Sequence, residues 1–187
     1  MNSKDILYSK GKNDECMTPA YAVTPILKYI PKDAIVWTPF DTIDSEFVKQ
    51  ISKTNPVACS HIDDGNDFYN YEPHHWDIMI SNPPFTNKRK IFERALSFGK
   101  PFALLMSNTM MNDKYPLWSF YEAGKIPQIL KFDSRVEFIQ RKSGNSNKIT
   151  FQSAYYCVDF LPNDFILEPL NKPSKILLTK QIIMESL

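Results

Sequence analysis

The run Asp77-Ile78-Met79-Ile80-Ser81 is apolar, short, and cut off by Asn82-Pro83-Pro84. Ile-Met-Ile has no polar alternate position, so the strand it predicts is covered on both faces, as in the interior of a parallel sheet layered between helices. Two successive prolines remove two backbone donors and hold the chain extended, so the strand ends there. The surrounding sequence alternates in type. Tyr21 to Tyr29 carries Val23, Ile26 and Leu27 at helical spacing before Pro31 stops it, and Ala34 to Trp37 reads as a strand. Glu46 to Ser52 repeats the helical pattern with Phe47, Val48 and Ile51, and Val57 to Ser60 is the next β-prone run. Lys88 to Phe98 predicts a helix with Ile91, Phe92, Ala95 and Leu96 on one face; Phe102 to Met106 follows as a strand after Gly99-Lys100-Pro101. This order predicts an α/β fold with a mostly parallel twisted sheet.

The later sequence changes character. Ile129 to Ile139 and Ile149 to Leu161 are β-rich and separated by the polar stretch RKSGNSNK, which predicts a C-terminal antiparallel hairpin at one edge of the sheet. From Pro162 onward, three prolines among apolar pairs predict an extended arm and a last helix. No internal repeat breaks the chain, and 187 residues suit one domain, with its core over about 14–162 and the arm over about 163–187.

Composition excludes several classes. With 43% hydrophobic residues, 23% charged and only 5 glycines, the chain is neither disordered nor collagenous. No apolar stretch approaches the roughly 20 residues of a membrane span, and the polar start predicts no signal peptide. Cys16, Cys59 and Cys157 form no CxxC pair and fit a reducing compartment, so the expected location is cytoplasmic. Cys59 with His61, His74 and His75 matches no zinc spacing, so no metal is expected. The net charge is +1, and any nucleic-acid contact must therefore come from a local patch.

In parallel sheets, ligands bind beyond the carboxyl ends of the strands. There, Asn82-Pro83-Pro84-Phe85 offers a carboxamide, carbonyls not engaged by a following donor, and a ring. That set suits a planar group with an exocyclic amine. The plainer alternative is that Pro83-Pro84 ends a strand and Phe85 is core.

The tetrapeptide resembles the [D/N/S]-P-P-[Y/F/W] motif of S-adenosylmethionine-dependent amino-methyltransferases. The chain looks most like the adenine-N6 DNA methyltransferases of bacteriophages. Asp14-Glu15-Cys16-Met17-Thr18-Pro19 is similar to their D-E-W-x-T-P segment. Phe132 to Phe138 and Phe151 to Tyr156 are similar to their late strands, so the likeness runs from Asp14 to about Pro162. The resemblance implies a Rossmann-like methyltransferase fold, catalysis by Asn82, Pro83, Pro84 and Phe85, and a cofactor pocket at Thr18, Pro19, Pro39, Phe40, Asp41, Asp63, Asp67, Phe68 and Asn82. The sequence departs from the family at two places. The turn Trp37-Thr38-Pro39-Phe40-Asp41 has no glycine, and His61 stands where an acid usually holds the ribose, with Asp63 or Asp64 as substitutes. Asp41 or Asp44 is a candidate for the cofactor's ammonium group, the alternative being a turn that caps the helix near Glu46.

Lys88, Arg89 and Lys90, with Arg94, form a basic cluster after the motif, and Arg141, Lys142 and Lys148 form another in the polar loop. Both are candidate phosphate contacts, with solvated surface as the alternative. Tyr115, Trp118 and Tyr121 are candidates for base stacking or for core. The expected function is methyl transfer from S-adenosylmethionine to N6 of a flipped adenine in DNA, the base stacking on Phe85, in the cytoplasm of a bacterial host if the gene is a phage's. The alternatives are methylation of a glutamine amide or an RNA amine, and a methyltransferase-fold binding protein without activity. Too few residues follow Phe85 for a large recognition domain, so specificity is expected to be loose or to come from a second copy or a partner.

Overall fold

The computed structural model describes residues 16–140 and 148–173. Its elements are β1 (Cys16–Met17), α1 (Ala20–Leu27), β2 (Val36–Thr38), α2 (Glu46–Ile51), β3 (Val57–Cys59), β4 (Ile78–Ser81), α3 (Lys88–Ser97), β5 (Phe102–Ser107), α4 (Lys114–Glu122), β6 (Gln128–Phe132), β7 (Val136–Gln140), β8 (Lys148–Phe151), β9 (Ser153–Val158) and β10 (Phe165–Glu168). Seven strands form one sheet in the order β10-β6-β9-β5-β4-β2-β3, and β1, β7 and β8 form a small second sheet. In the large sheet β9 alone runs against its neighbours, pairing antiparallel with both β5 and β6.

The strand expected from Ile78-Met79-Ile80 lies between β2 and β5, with all four of its residues buried. Its alternation divides the core. Ile78 and Ile80 pack with Val36, Leu105 and Tyr155 against α1 and α2, whereas Met79 packs with Trp37, Leu104 and Tyr156 on the side of α3. The helices start and stop for local reasons. Ser45 accepts the Val48 N–H at the head of α2, and Pro31 lies shortly beyond the end of α1.

The hairpin forms, but not as two continuous strands at an edge. Exposed Asp133, Ser134 and Arg135 interrupt the first run, and exposed Gln152 interrupts the second. The inner halves, β6 and β9, join the large sheet, while the outer halves, β7 and β8, bend away to pair with each other, β7 pairing also with β1. The edge beyond β6 is taken by β10, paired parallel to it, so residues 165–168 of the expected arm are a sheet strand. Tyr29 and Lys28, at the end of α1, both bond Glu168 and fasten β10 in place. Among the described residues no helix is long and apolar enough to cross a membrane.

Candidate functional site at the carboxyl end of the sheet

Among the described residues, four buried side-chain polar atoms have no hydrogen-bond partner: Thr38 Oγ1, Asn82 Oδ1, Asn108 Oδ1 and Ser153 Oγ. Thr38 ends β2, Asn82 follows β4, Asn108 follows β5, and Ser153 begins the reversed strand β9. All four therefore sit at one end of the sheet. Each such atom costs on the order of 1–3 kcal/mol when left unpaired, so their gathering marks a place for a ligand that supplies partners.

Asn82 is held in one orientation. Its Nδ2 donates to the Cys16 carbonyl of β1 at 3.3 Å, and because a carbonyl can only accept, Oδ1 is the atom left without a partner. Pro83 is buried and Pro84 exposed. Phe85, expected as an open stacking platform, is 2% exposed and meets the Phe138 ring edge-on at 5.8 Å. The plainer reading of that ring, as core, describes its position.

Beside Asn82, the Ser81 hydroxyl donates to Asp41 in the loop after β2. Asp41 is 7% exposed, and burial pushes its carboxyl up to about 6 against the opposing hydrogen bonds from Ser81 and Ser45. Asp41 is not a helix cap; Ser45 fills that position, and Asp44 is exposed. Among the described residues none of the positive backbone φ angles falls in residues 39–45, which is why that loop can do without glycine.

The other expected cofactor residues are distributed as follows. Thr18 and Pro19 lie between β1 and α1, half-buried, and Pro39 is buried. Phe40 and Phe68 are neighbours with ring centroids 4.7 Å apart. Asp67 is engaged locally: Oδ1 accepts the Tyr69 N–H at 3.0 Å and Oδ2 accepts from Asn70 at 3.3 Å. His61 is 8% exposed and its Nδ1 accepts the Asp63 N–H at 3.2 Å, while the Asp63 side chain is largely exposed.

The basic cluster divides. Lys88, expected to meet phosphate, is instead buried, its Nζ 2.8 Å from Asp113 Oδ2 and 2.9 Å from Thr109 Oγ1. It ties the start of α3 to the segment before α4. Lys90 is exposed, and Arg89, also exposed, donates to Glu93. Arg141 and Lys142 lie outside the described residues. Among the described residues no group of three or more metal-ligating side chains comes together.

No protein-family model matches the sequence, and no curated protein matches it. Solved structures do. A "putative RNA methyltransferase" from Pyrococcus horikoshii aligns at a TM-score of 0.53 and 14% identity, over 85% of this chain and 98% of that one. The fold is a Rossmann-like methyltransferase fold. A "putative class I S-adenosylmethionine-dependent methyltransferase" from Listeria monocytogenes aligns at 0.46 with 11% identity, over 99% of this chain and 78% of that one. The modification subunit of a "putative type I restriction enzyme" from Vibrio vulnificus also aligns at 0.46, with 10% identity over 92% of this chain and 50% of that one. At these identities the likeness is one of fold. Of the four residues whose buried polar atoms lack a partner, the sequence singled out Asn82 and not Thr38, Asn108 or Ser153. No residue pattern marks these three, because each is an ordinary polar residue until the sheet buries it.

Proposed function

We propose that the protein transfers a methyl group from S-adenosylmethionine to the exocyclic N6 of adenine in DNA. The observation that carries this reading is the unpartnered Asn82 Oδ1 beside a turn whose prolines cannot donate. A fixed acceptor at the end of a central strand calls for a donor, and an exocyclic amine supplies two. Asn82 Oδ1 and the Pro83 carbonyl would accept from that amine, which keeps its lone pair directed at the incoming methyl carbon and raises its electron density.

The residues present fit the cofactor. Thr38 Oγ1 is unpartnered at the end of β2, the buried Asp41 carboxylate suits an ammonium group, and the Phe40–Phe68 pair offers ring surface. Thr18, Pro19, Pro39, Asp63 and Asp67 complete the proposed holding set. When bound, the cofactor would supply an electrophilic methyl group, while Asn82 Oδ1 and the Pro83 carbonyl would hold the accepting amine, whose extra proton would pass to solvent. Asp41, through Ser81, holds the strand end from which Asn82 projects. An adenine must leave the duplex to reach this turn, at a cost of a few kcal/mol that protein contacts offset.

A second reading is favoured by two observations, the local engagement of both Asp67 oxygens and His61 at the ribose position. In it the chain is a binding protein that has given up the cofactor. Calorimetric titration with S-adenosylmethionine separates the two, and labelled methyl transfer to DNA, RNA and glutamine-bearing protein identifies the acceptor. Binding followed by transfer to adenine in DNA is the expected result. No heat of binding and no transfer to any acceptor would favour the second reading.

A further inference from the structure

The segment after β5 carries a concentration of exposed apolar side chains: Met111, Tyr115, Trp118 and Tyr121, the three rings being 59%, 45% and 72% exposed. In α4 the rings are three residues apart and form one stripe, while Pro116, Ser119 and Phe120 are buried on the other side of the helix. Cations lie over this stripe. The Arg89 guanidinium is 5.3 Å from the centre of the Tyr115 ring, and the Lys114 ammonium is 5.8 Å from that of Trp118. Trp118 and Tyr121 stand 4.9 Å apart with their planes inclined by 36°. Glu93 and Glu122, the acids beside the stripe, are engaged by Arg89 Nε and Trp118 Nε1.

The stripe begins at the rim of the candidate site. Arg89 lies a few residues beyond Phe85, and the Lys88 bonds to Thr109 and Asp113 hold the start of α3 against the start of α4. Open rings with cations over them match the alternation of an unpaired strand, in which base faces seek rings and phosphates seek cations. We infer that α4 is a stacking platform for the unpaired DNA bases that flank the nucleotide presented to Asn82. That the strand is DNA rests on the proposed function; the platform itself is testable without it.

Trp118 is the exposed tryptophan of three, since Trp37 is 0% and Trp76 3% exposed, so the part of the tryptophan emission that a strand bound at the surface can quench by contact comes from the stripe. The probe is a short oligothymidylate, which contains no adenine. It is expected to quench this emission, and a phosphodiester strand of equal length without bases should quench far less. Changing Tyr115→Ser and Tyr121→Ser together, both on the surface, should weaken binding measured by anisotropy about tenfold or more. Trp118→Phe should abolish the quenching while retaining binding within a few fold, and Phe165→Ser, an exposed aromatic on β10 outside the stripe, should leave binding unchanged. Equal binding of the two strands, indifference to the double substitution, or binding of oligouridylate RNA but not DNA would overturn the inference. So would self-association of the wild type through the rings, seen as a dimer in sedimentation that the double substitution dissociates. Methyl transfer is assayed apart. Transfer without stacking removes the platform and leaves the proposed function, and stacking without transfer does the reverse.

Discussion

Asn82 and Asp41 can be tested one atom at a time. Asn82→Ala removes the acceptor, so methyl transfer should be lost while cofactor affinity stays within a few fold, because the bond to the amine matters mainly in the transition state. Single-turnover transfer together with a binding titration checks both halves. Asp41 makes a prediction about pH. Its carboxyl lies near 6 in the folded chain against about 3.9 when unfolded, so between those values the folded state holds the proton and the unfolded state does not. Stability contributed by this group is therefore greatest below about pH 4 and falls as the pH rises through about 6, by on the order of 2–3 kcal/mol. Denaturant titrations of the wild type should show this decline, and Asp41→Asn should lack it. At Phe85 the structure changes the expected result. A side chain 2% exposed against Phe138 makes Phe85→Ala a core deletion costing about 3–5 kcal/mol, visible in thermal unfolding before any effect on DNA. Asn82 was legible because two prolines beside it are rare inside a chain that must form a buried strand. The functional environment of Phe85 was not, because one aromatic residue after a turn suits a platform and a core equally.

At the scale of elements, legibility followed burial. β2, β4, β5 and α3 could be read from the sequence because their apolar runs are dense and are bounded by Pro, Gly or Asn. The division of the hairpin between two sheets could not, since it depends on which distant strand is paired with each half, and β1 has only two residues. β10 was equally hidden: its residues alternate between exposed and half-buried, and what fixes it is the bond network at Glu168. Burial pushes that carboxyl up, but the Lys28 ammonium and the Tyr29 hydroxyl outweigh it and hold it below its ordinary value. Glu168→Ala should cost about 0.5–1.5 kcal/mol and raise hydrogen exchange in β10 more than in β4. Equal protection of β10 in variant and wild type would show that main-chain pairing with β6 suffices.

For the whole molecule, a ligand that binds only the folded chain raises its stability by mass action. S-adenosylmethionine at a hundredfold excess over its dissociation constant should add about 2.7 kcal/mol, a rise of about 5–10 °C in Tm for a chain of this size. An unchanged Tm at saturating cofactor would count against the proposed pocket. The reversed strand has a consequence of another kind. β9 is wedged between β5 and β6, with Phe102 opposite Val158 and Ser107 opposite Ser153, so the middle of the sheet is closed by residues far along the chain. During synthesis, β5 and β6 emerge before the strand that separates them, each with a bare edge able to pair wrongly with the other or with a neighbouring chain. Folding must therefore wait for translation to pass Val158 and then pays the delay of distant pairing. A ribosome-stalled chain ending before Ser153 should accordingly be protease-sensitive and bind holdase chaperones, where one extended past Glu168 and clear of the exit tunnel should not.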